Sequence, residues 1–293
     1  MDHSEHGTFK VLREVQTLSR GGSHLNVLAI DVGGTHVKVL ATGQTEPREF
    51  LSGPTMTPKR MVYGVKKLTA DWKYNVVSMG YPGPVLRNRP VADPHNLGAG
   101  WIGFNFAEAF GRPLKLINDA AMQALGSYKG GKLLFLGLGT GLGSAMVVDG
   151  IVEPMELGHL PYKKATYEDY VGIRGLEHWG KKKWRRHVAD VVARLIGALE
   201  PDDVVLGGGN VKKLKGLPPG CRAGDNANAF LGGFRLRDQA GDRSLPQPRK
   251  LVGGKGTRRK EYEDGNRRRN GYQKPGSKTP EETKRLEGSP DPL

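Results

Sequence analysis

Two glycine-threonine turns, each set between runs of strand character, constrain this chain more than any other feature: LAIDVGGTHVKVL at residues 28–40 and LFLGLGTGLGSAMVV at residues 134–148. An apolar run, a tight Gly/Thr turn and a second β-branched run read as a β-hairpin with an exposed backbone tip. Consecutive N–H groups at such a tip form a concavity for an anion, and Thr35 and Thr140 each add a hydroxyl donor. Gly33 and Gly34 in one turn, and Gly139 and Gly141 in the other, are therefore phosphate-binding candidates, and two facing tips could hold a polyphosphate from both sides. Either turn alone reads more readily as a plain tight turn. Asp31 sets the pair apart. A carboxylate at the mouth of the first turn repels phosphate unless a cation lies between them, and Mg2+ takes one or two carboxylates together with phosphate oxygens and water.

Other nucleotide signatures fail. Residues 126–133, GSYKGGKL, have the GxxxxGK spacing, but Leu133 stands where a hydroxyl should reach the metal. The alternating glycines 137, 139, 141 and 143 lack the GxGxxG register and a following helix pattern, which disfavours a dinucleotide fold.

The chain has 293 residues, enough for two domains with their own cores. No apolar run approaches the roughly 18 residues of a membrane helix, and residues 1–25 carry no hydrophobic stretch of signal-peptide type. With Cys221 as its one cysteine, the chain forms no internal disulfide and no Cys-rich zinc site, so a cytoplasmic location is expected. The net charge is +15; residues 239–293 carry 14 Lys+Arg and 8 Asp+Glu, a net of +6, which leaves +9 on the remainder. A basic body favours an anionic partner, either a phosphorylated substrate or a nucleic acid, although charge also serves solubility.

The expected organisation is a leader over residues 1–25, an α/β domain over 26–118, a second α/β domain over 119–238 and a basic tail over 239–293. The tail is rich in Gly, Pro, Arg, Lys and Glu and reads as disordered. In the first domain the hairpin is followed by a strand near 48–51, a helix from about 58 to 72, a strand at 76–80, a short helix near 106–110 and a strand at 114–117. In the second, a hairpin over 133–153 precedes a helical stretch from about 167 to 180, a long helix from 183 to 199 and a strand at 204–206. The repeated order implies two similar domains with a cleft between them, where ligands usually sit.

DVGGT at 31–35, GYPGPV at 80–85, PHNLGAGW at 94–101, INDA at 117–120, GLGTGLGSA at 137–145, ELGH at 156–159 and VVLGGGN at 204–210 resemble, in this order, the motifs of the ROK family of repressors and sugar kinases. The likeness covers about residues 26–238 and implies the two-domain actin-like ATPase (ribonuclease H-like) fold. TYEDYVG, GKKKWRRHV and GGGNVKKL look most like the polyphosphate glucokinase branch. The CxCGxxGC zinc motif of many relatives is missing, and so is an N-terminal helix-turn-helix segment of the repressor kind.

The resemblance makes Asp119 the general base that accepts the proton of the sugar 6-hydroxyl as that oxygen attacks phosphorus. Without the other motifs, its place at the end of a strand and the start of a helix makes Asp119 read more readily as an N-cap. Asn96, Asn118, Glu156 and His159 look like the family's sugar-hydroxyl ligands, and amide, carboxylate and imidazole groups suit hydroxyls that both donate and accept. Asp119 belongs to the same set. Whether Glu168 replaces the sugar-binding Glu that zinc-bearing relatives carry is open. Gly207, Gly208, Gly209 and Asn210 resemble the turn that lies against the nucleotide's adenosine side, and Lys38 is counted with the phosphate site. Lys181, Lys182, Arg185 and Arg186, with Lys163, Lys164, Lys212 and Lys213, either line a path for polyphosphate or form a solvated face. Trp184 within that run reads as packing.

The resulting expectation is a hexose kinase using Mg2+ and transferring a phosphoryl group from polyphosphate or ATP to the 6-hydroxyl of glucose. An ATP-only kinase for glucose or another hexose and a non-catalytic sugar-binding regulator are the alternatives. Intact Asp31 and Asp119 speak against the regulator, and no recognition helix or aromatic-rich sheet motif supports nucleic-acid binding. No membrane partner is expected, and assembly as a homodimer stays open.

Overall fold

The computed structural model describes residues 25–238; the expected leader, apart from Leu25, and the basic tail lie outside the described residues. The first hairpin forms as β1 (Val27–Val32) and β2 (His36–Ala41), with Asp31 paired opposite Lys38. β3 (Arg48–Leu51) extends the sheet beyond β2, and β4 (Val76–Tyr81) lies parallel to β1 on the other side. After a small hairpin of β5 (Val85–Leu86) and β6 (Arg89–Pro90), β7 (Leu114–Asn118) joins β4 to give the order β3-β2-β1-β4-β7.

Side chains of a strand alternate between its faces, so β1 serves two cores. Leu28, Ile30 and Val32 pack with Met61 and Val65 of α1 (Pro58–Leu68) and with Phe106 and Phe110 of α2 (Phe106–Phe110). Val27 and Ala29 face the other way. α1 begins where Thr57 accepts the Arg60 N–H at 3.3 Å with Pro58 at its first position, a favourable start because proline has no N–H to satisfy.

The second sheet is built alike. β8 (Lys132–Leu138) and β9 (Leu142–Val148) form its hairpin, β10 (Ile151–Met155) continues on β9, and two later strands pair beyond β8 in parallel. A small hairpin of β11 (Pro161–Tyr162) and β12 (Ala165–Thr166) precedes α4 (Tyr167–Val171) and α5 (Ile173–Leu199), and β13 (Asp203–Gly207) and β14 (Cys221–Ala223) complete the order β10-β9-β8-β13-β14. α5 is interrupted at Gly180, whose φ of +67° lies in the left-handed region that a side chain disfavours. This break separates the two helical stretches read from the sequence. Trp184, fully buried beyond it, donates Nε1–H to the Val171 carbonyl at 2.8 Å.

Two helices fill the space between the sheets. α3 (Asp119–Ser127) packs Ala121, Met122 and Leu125 on Leu133, Phe135 and Val205 of the second sheet. α6 (Asn228–Asp238) returns to the first, burying Phe230, Leu231 and Phe234 against Val27, Ala29, Leu40 and Val76. The segment AFLGGFRLR does not announce a helix, because paired glycines usually mark a breaker. Here Gly126 and Gly232 are needed where α3 and α6 cross, since a Cβ on either would run into the other helix's backbone. Arg237 then donates to the carbonyls of Val77 and Pro113. The fold is α/β with two five-stranded mixed sheets, each opening on a glycine-threonine hairpin. Among the described residues no helix is long and apolar enough to cross a membrane.

Candidate active site

The first turn is closed by the Gly33 N–H donating to the His36 carbonyl at 2.9 Å. Ser52, just past β3, steadies it from the neighbouring strand: its hydroxyl donates to the Gly33 carbonyl at 2.6 Å and its N–H to the Thr35 carbonyl at 2.8 Å. Asp31 lies near the end of β1, between Lys38 on β2 and Gly80 on β4. Burial pushes its carboxyl up to about 6, against the attraction of the Lys38 ammonium. That ammonium also lies 3.6 Å from the Glu49 carboxylate, so Lys38 serves the strand pair as well as the turn.

Asp119 opens α3 directly after β7. The capping role falls to its neighbour, because Asn118 Oδ1 accepts the Ala121 N–H at 3.2 Å while Nδ2 donates to the Gly83 carbonyl at 3.1 Å. One N–H of that amide remains for a ligand. Asp119 Oδ1 accepts the Ala120 N–H at 2.7 Å. A Cβ on Gly80 would stand 3.5 Å from Asp119 Cα, and a Cβ on Gly143 would stand 3.0 Å from Ala120 Cβ. The first turn of α3 therefore sits between β4 of one sheet and β9 of the other, at positions where neither strand carries a side chain. Burial first, then the charges of Asp31 and Glu156, lift the Asp119 carboxyl to about 7, with the N–H bonds it accepts opposing. Asp31 and Asp119 thus form a carboxylate pair that repels itself unless protons or a cation are shared between them.

The second turn is held on every side. Asn96 donates Nδ2–H to Thr140 Oγ1 at 3.1 Å, and its Cβ lies 3.2 Å from the place a Gly34 side chain would start. One residue thus touches both glycine-threonine turns. Asn210, buried at the end of the GGGN segment, donates Nδ2–H to the Gly139 carbonyl at 2.9 Å, and its own N–H goes to Leu138. Gly207 lies against Phe135, Gly208 against the Leu138 backbone with φ +85°, and Gly209 has open space beside it. The Ile173 N–H, at the start of α5, donates to the Thr140 carbonyl at 3.1 Å.

Glu156 precedes and His159 ends a 3-10 turn (Leu157–His159), and both are exposed. Buried Ser144 pins this segment to β9: its hydroxyl donates to the Met155 carbonyl at 2.8 Å and accepts the Leu157 N–H at 3.0 Å. Glu168 comes in from α4. It occupies the space that a side chain at Gly141 would need, and its Oε1 is 3.9 Å from His159 Nε2 and 3.6 Å from Arg174 Nη2. The residue whose place was open is thus set between the second glycine-threonine turn and the ELGH segment.

The basic residues divide into two groups. Lys164, Lys181, Lys182, Arg186 and Lys212 are exposed. Arg185 instead donates Nε–H and Nη2–H to the Lys213 carbonyl at 2.8 and 2.6 Å, and Lys213 Nζ donates to Asn210 Oδ1 at 2.7 Å. Those two cations brace the GGGN segment against α5, a correction to reading them as open to a ligand chain. Lys163 lies over the Tyr162 and Tyr170 rings, 5.3 and 5.9 Å from their centroids. Ser52, Ser144, Asp93 and Arg174 escape a reading from sequence: their partners are backbone groups or charges brought near only by the fold. For Ser144 alone, the GSA that ends the second turn offered a signal.

Residues 27–170 match the ROK family. The chain is 29% identical over 206 residues to a polyphosphate glucokinase of Mycobacterium tuberculosis (strain CDC 1551 / Oshkosh), spanning 63% of this chain and 77% of that protein. It superposes on the inorganic polyphosphate/ATP-glucomannokinase of Arthrobacter sp. strain KM with a TM-score of 0.63 at 21% identity, covering 74% of this chain and all (100%) of the other. A ROK family glucokinase from Streptomyces griseus, solved with glucose and AMPPNP, gives a TM-score of 0.60 at 16% identity, covering 73% of this chain and 99% of that one. At these identities the superpositions establish the fold.

Proposed function

This chain belongs to the ROK family of sugar kinases, and from that premise we propose that it transfers a phosphoryl group from inorganic polyphosphate or ATP to the 6-hydroxyl of glucose. The observation that carries the reading is Asn96, which lies against Gly34 of one turn and bonds to Thr140 of the other. On this reading a sugar ligand lies between two phosphate cradles.

Asn96, the remaining Asn118 N–H, Glu156, His159 and Glu168 read the sugar hydroxyls. The 6-hydroxyl oxygen attacks the terminal phosphorus, the bond from phosphorus to the bridging oxygen breaks, and the proton passes from O6 to Asp119. Because phosphoryl transfer is dominated by positioning and electrostatics, Asp119 chiefly orients the hydroxyl and takes the proton late. A carboxyl lifted to about 7 suits that task near neutral pH. With the Gly33 and Gly139 N–H groups already bonded to the His36 and Gly141 carbonyls, the N–H groups of Gly34, Thr35, Thr140 and Gly141 and the two threonine hydroxyls would hold the phosphates, and the Gly207–Asn210 segment would lie along an adenosine.

Mg2+ fits Asp31: among the described residues no group of three or more His, Cys, Asp and Glu could hold a metal by itself, and Mg2+ needs only one or two carboxylates when phosphates supply the rest. Bound there, it would neutralise charge on the transferring phosphoryl group. The M. tuberculosis relative is named for polyphosphate and the Arthrobacter structure for polyphosphate and ATP, so both donors belong in the test. Formation of glucose 6-phosphate, followed by a coupled dehydrogenase with each donor in turn, decides between them. Turnover with ATP alone removes polyphosphate from the reading, and turnover with neither removes the kinase.

A further inference from the structure

Resting on that reading, we propose that Asp93 is a positioning residue for the sugar site: it closes the loop that carries Asn96 and so holds that amide where a hexose meets it. The loop runs from Ala92 to Trp101, and both of its ends are anchored in the core of the first sheet. At one end the Tyr81 hydroxyl donates to the Ala92 carbonyl at 2.7 Å. At the other, Trp101 is fully buried, its ring centroid 5.6 Å from that of Tyr81 and 6.0 Å from that of Phe106.

Asp93 ties the two ends together. Its Oδ1 accepts the Trp101 N–H at 2.8 Å and the Ile102 N–H at 3.4 Å, and its Oδ2 accepts the Gly100 N–H at 3.3 Å. Inside this ring the Trp101 Nε1–H donates to the Gly98 carbonyl at 2.6 Å, and the Gly98 N–H donates to the Met56 carbonyl at 3.0 Å. Asn96 sits at the ring's far side, against Gly34 and Thr140.

A carboxylate receiving several N–H groups makes charge-assisted bonds, stronger than neutral ones, and here it makes them at an exposed position. Removing it leaves no buried void, and water can satisfy the released N–H groups. What is lost is the closure of the loop, and with it the fixed approach of Asn96. The role of Asp93 is therefore exercised through Asn96, on sugar affinity, and not through the donor.

The test is steady-state kinetics of Asp93→Ala and Asp93→Asn, each in the wild-type and the Asn96→Ala background. Asp93→Ala should raise the glucose KM about tenfold, leave the donor KM within about twofold and change kcat by less than about threefold. Asp93→Asn keeps an oxygen for Trp101 and Ile102 and should recover the glucose KM to within about threefold of wild type. In the Asn96→Ala background Asp93→Ala should add less than about twofold, because the group it positions is gone. A glucose KM that stays within twofold, an equal rise for the donor, or the full tenfold rise without Asn96 overturns the proposal. Should Asp93→Ala fail to fold, Asp93→Ser carries the same test, its hydroxyl being unable to receive three N–H groups. A wild-type chain that phosphorylates no hexose overturns the kinase reading and this proposal with it; an active wild type with an unmoved glucose KM overturns this proposal alone.

Discussion

The side-chain amide of Asn96 donates to the hydroxyl of Thr140 at 3.1 Å, joining a loop of the first half of the chain to the glycine-threonine turn of the second. With its oxygen accepting from Asn96, the Thr140 hydroxyl can turn its own hydrogen toward a phosphate. If Asn96 reads the sugar and Thr140 the donor, the two sites share this bond, and removing either partner should remove part of the other's effect. For Thr140→Val, Asn96→Ala and the double variant, the losses in kcat/KM should fall short of additive by about 0.5–1.5 kcal/mol, the size of one hydrogen bond. Additivity within about 0.3 kcal/mol would show that the contact carries no function.

The pH dependence has a definite sign. The base must be ionised, and burial and Asp31 hold the Asp119 carboxyl up at about 7, so kcat/KM should fall as pH drops through about 7, with an apparent midpoint belonging to the Asp31–Asp119 pair. Stability runs the opposite way. Between the ordinary carboxyl value of 3.8 and about 7 the folded chain holds protons that the unfolded chain has released, so the pair lowers stability as pH rises across that window. Asp119→Asn should therefore melt higher than wild type at pH 8 and equal to it at pH 4. A melting temperature unchanged at pH 8 would show that the carboxylate is not strained by burial.

Chelation separates the metals. Activity should disappear with EDTA, return with Mg2+ and survive a zinc-selective chelator, and Asp31→Asn should raise the Mg2+ concentration needed for half activity by about tenfold or more, since a phosphate-bound Mg2+ leans on one or two carboxylates. Stoichiometric zinc in the purified protein, lost together with folding, contradicts this account.

The basic run should divide as its geometry does. Exchanging exposed Lys181, Lys182 and Arg186 for Gln should raise the KM for polyphosphate several-fold and flatten its salt dependence, by analogy with counterion release from nucleic acids, while ATP kinetics change little. Arg185→Gln should instead cost roughly 1–3 kcal/mol of stability and weaken both donors alike, because it removes two bonds to the Lys213 carbonyl beneath the GGGN segment. Equal effects from the two sets would make the whole run structural.

Strand periodicity and turn chemistry carried most of the fold. The Gly/Thr hairpins, β3 at Arg48–Leu51 and the short helix at Phe106–Phe110 stand where alternation and Asn/Gly punctuation put them. α6 does not follow from such local signals: its Gly232 serves the crossing with Met122 and Gly126 of α3 and its Gly233 lies against Ala29 of β1, and only the fold shows that they are contacts and not breaks. The site was legible as motifs and illegible as bonds. Local sequence offered Asp119 as the cap of α3, and the structure gives that role to Asn118, since both residue types cap well. Sequence could not show that Arg185 turns inward while Arg186 stays in water. Asp93 and Ser52 act on backbone groups, which leave no trace in side-chain patterns.

Whether Asp119 accepts the proton of a hexose 6-hydroxyl during phosphoryl transfer is decided by single-turnover formation of glucose 6-phosphate by wild type and Asp119→Asn at saturating glucose and donor. The wild-type chain should form the ester at O6, and Asp119→Asn should bind glucose with similar affinity while its rate falls by about 10² to 10⁴, the range of a lost general base. A variant within about tenfold of wild type, or a wild type that binds glucose and never phosphorylates it, contradicts the account.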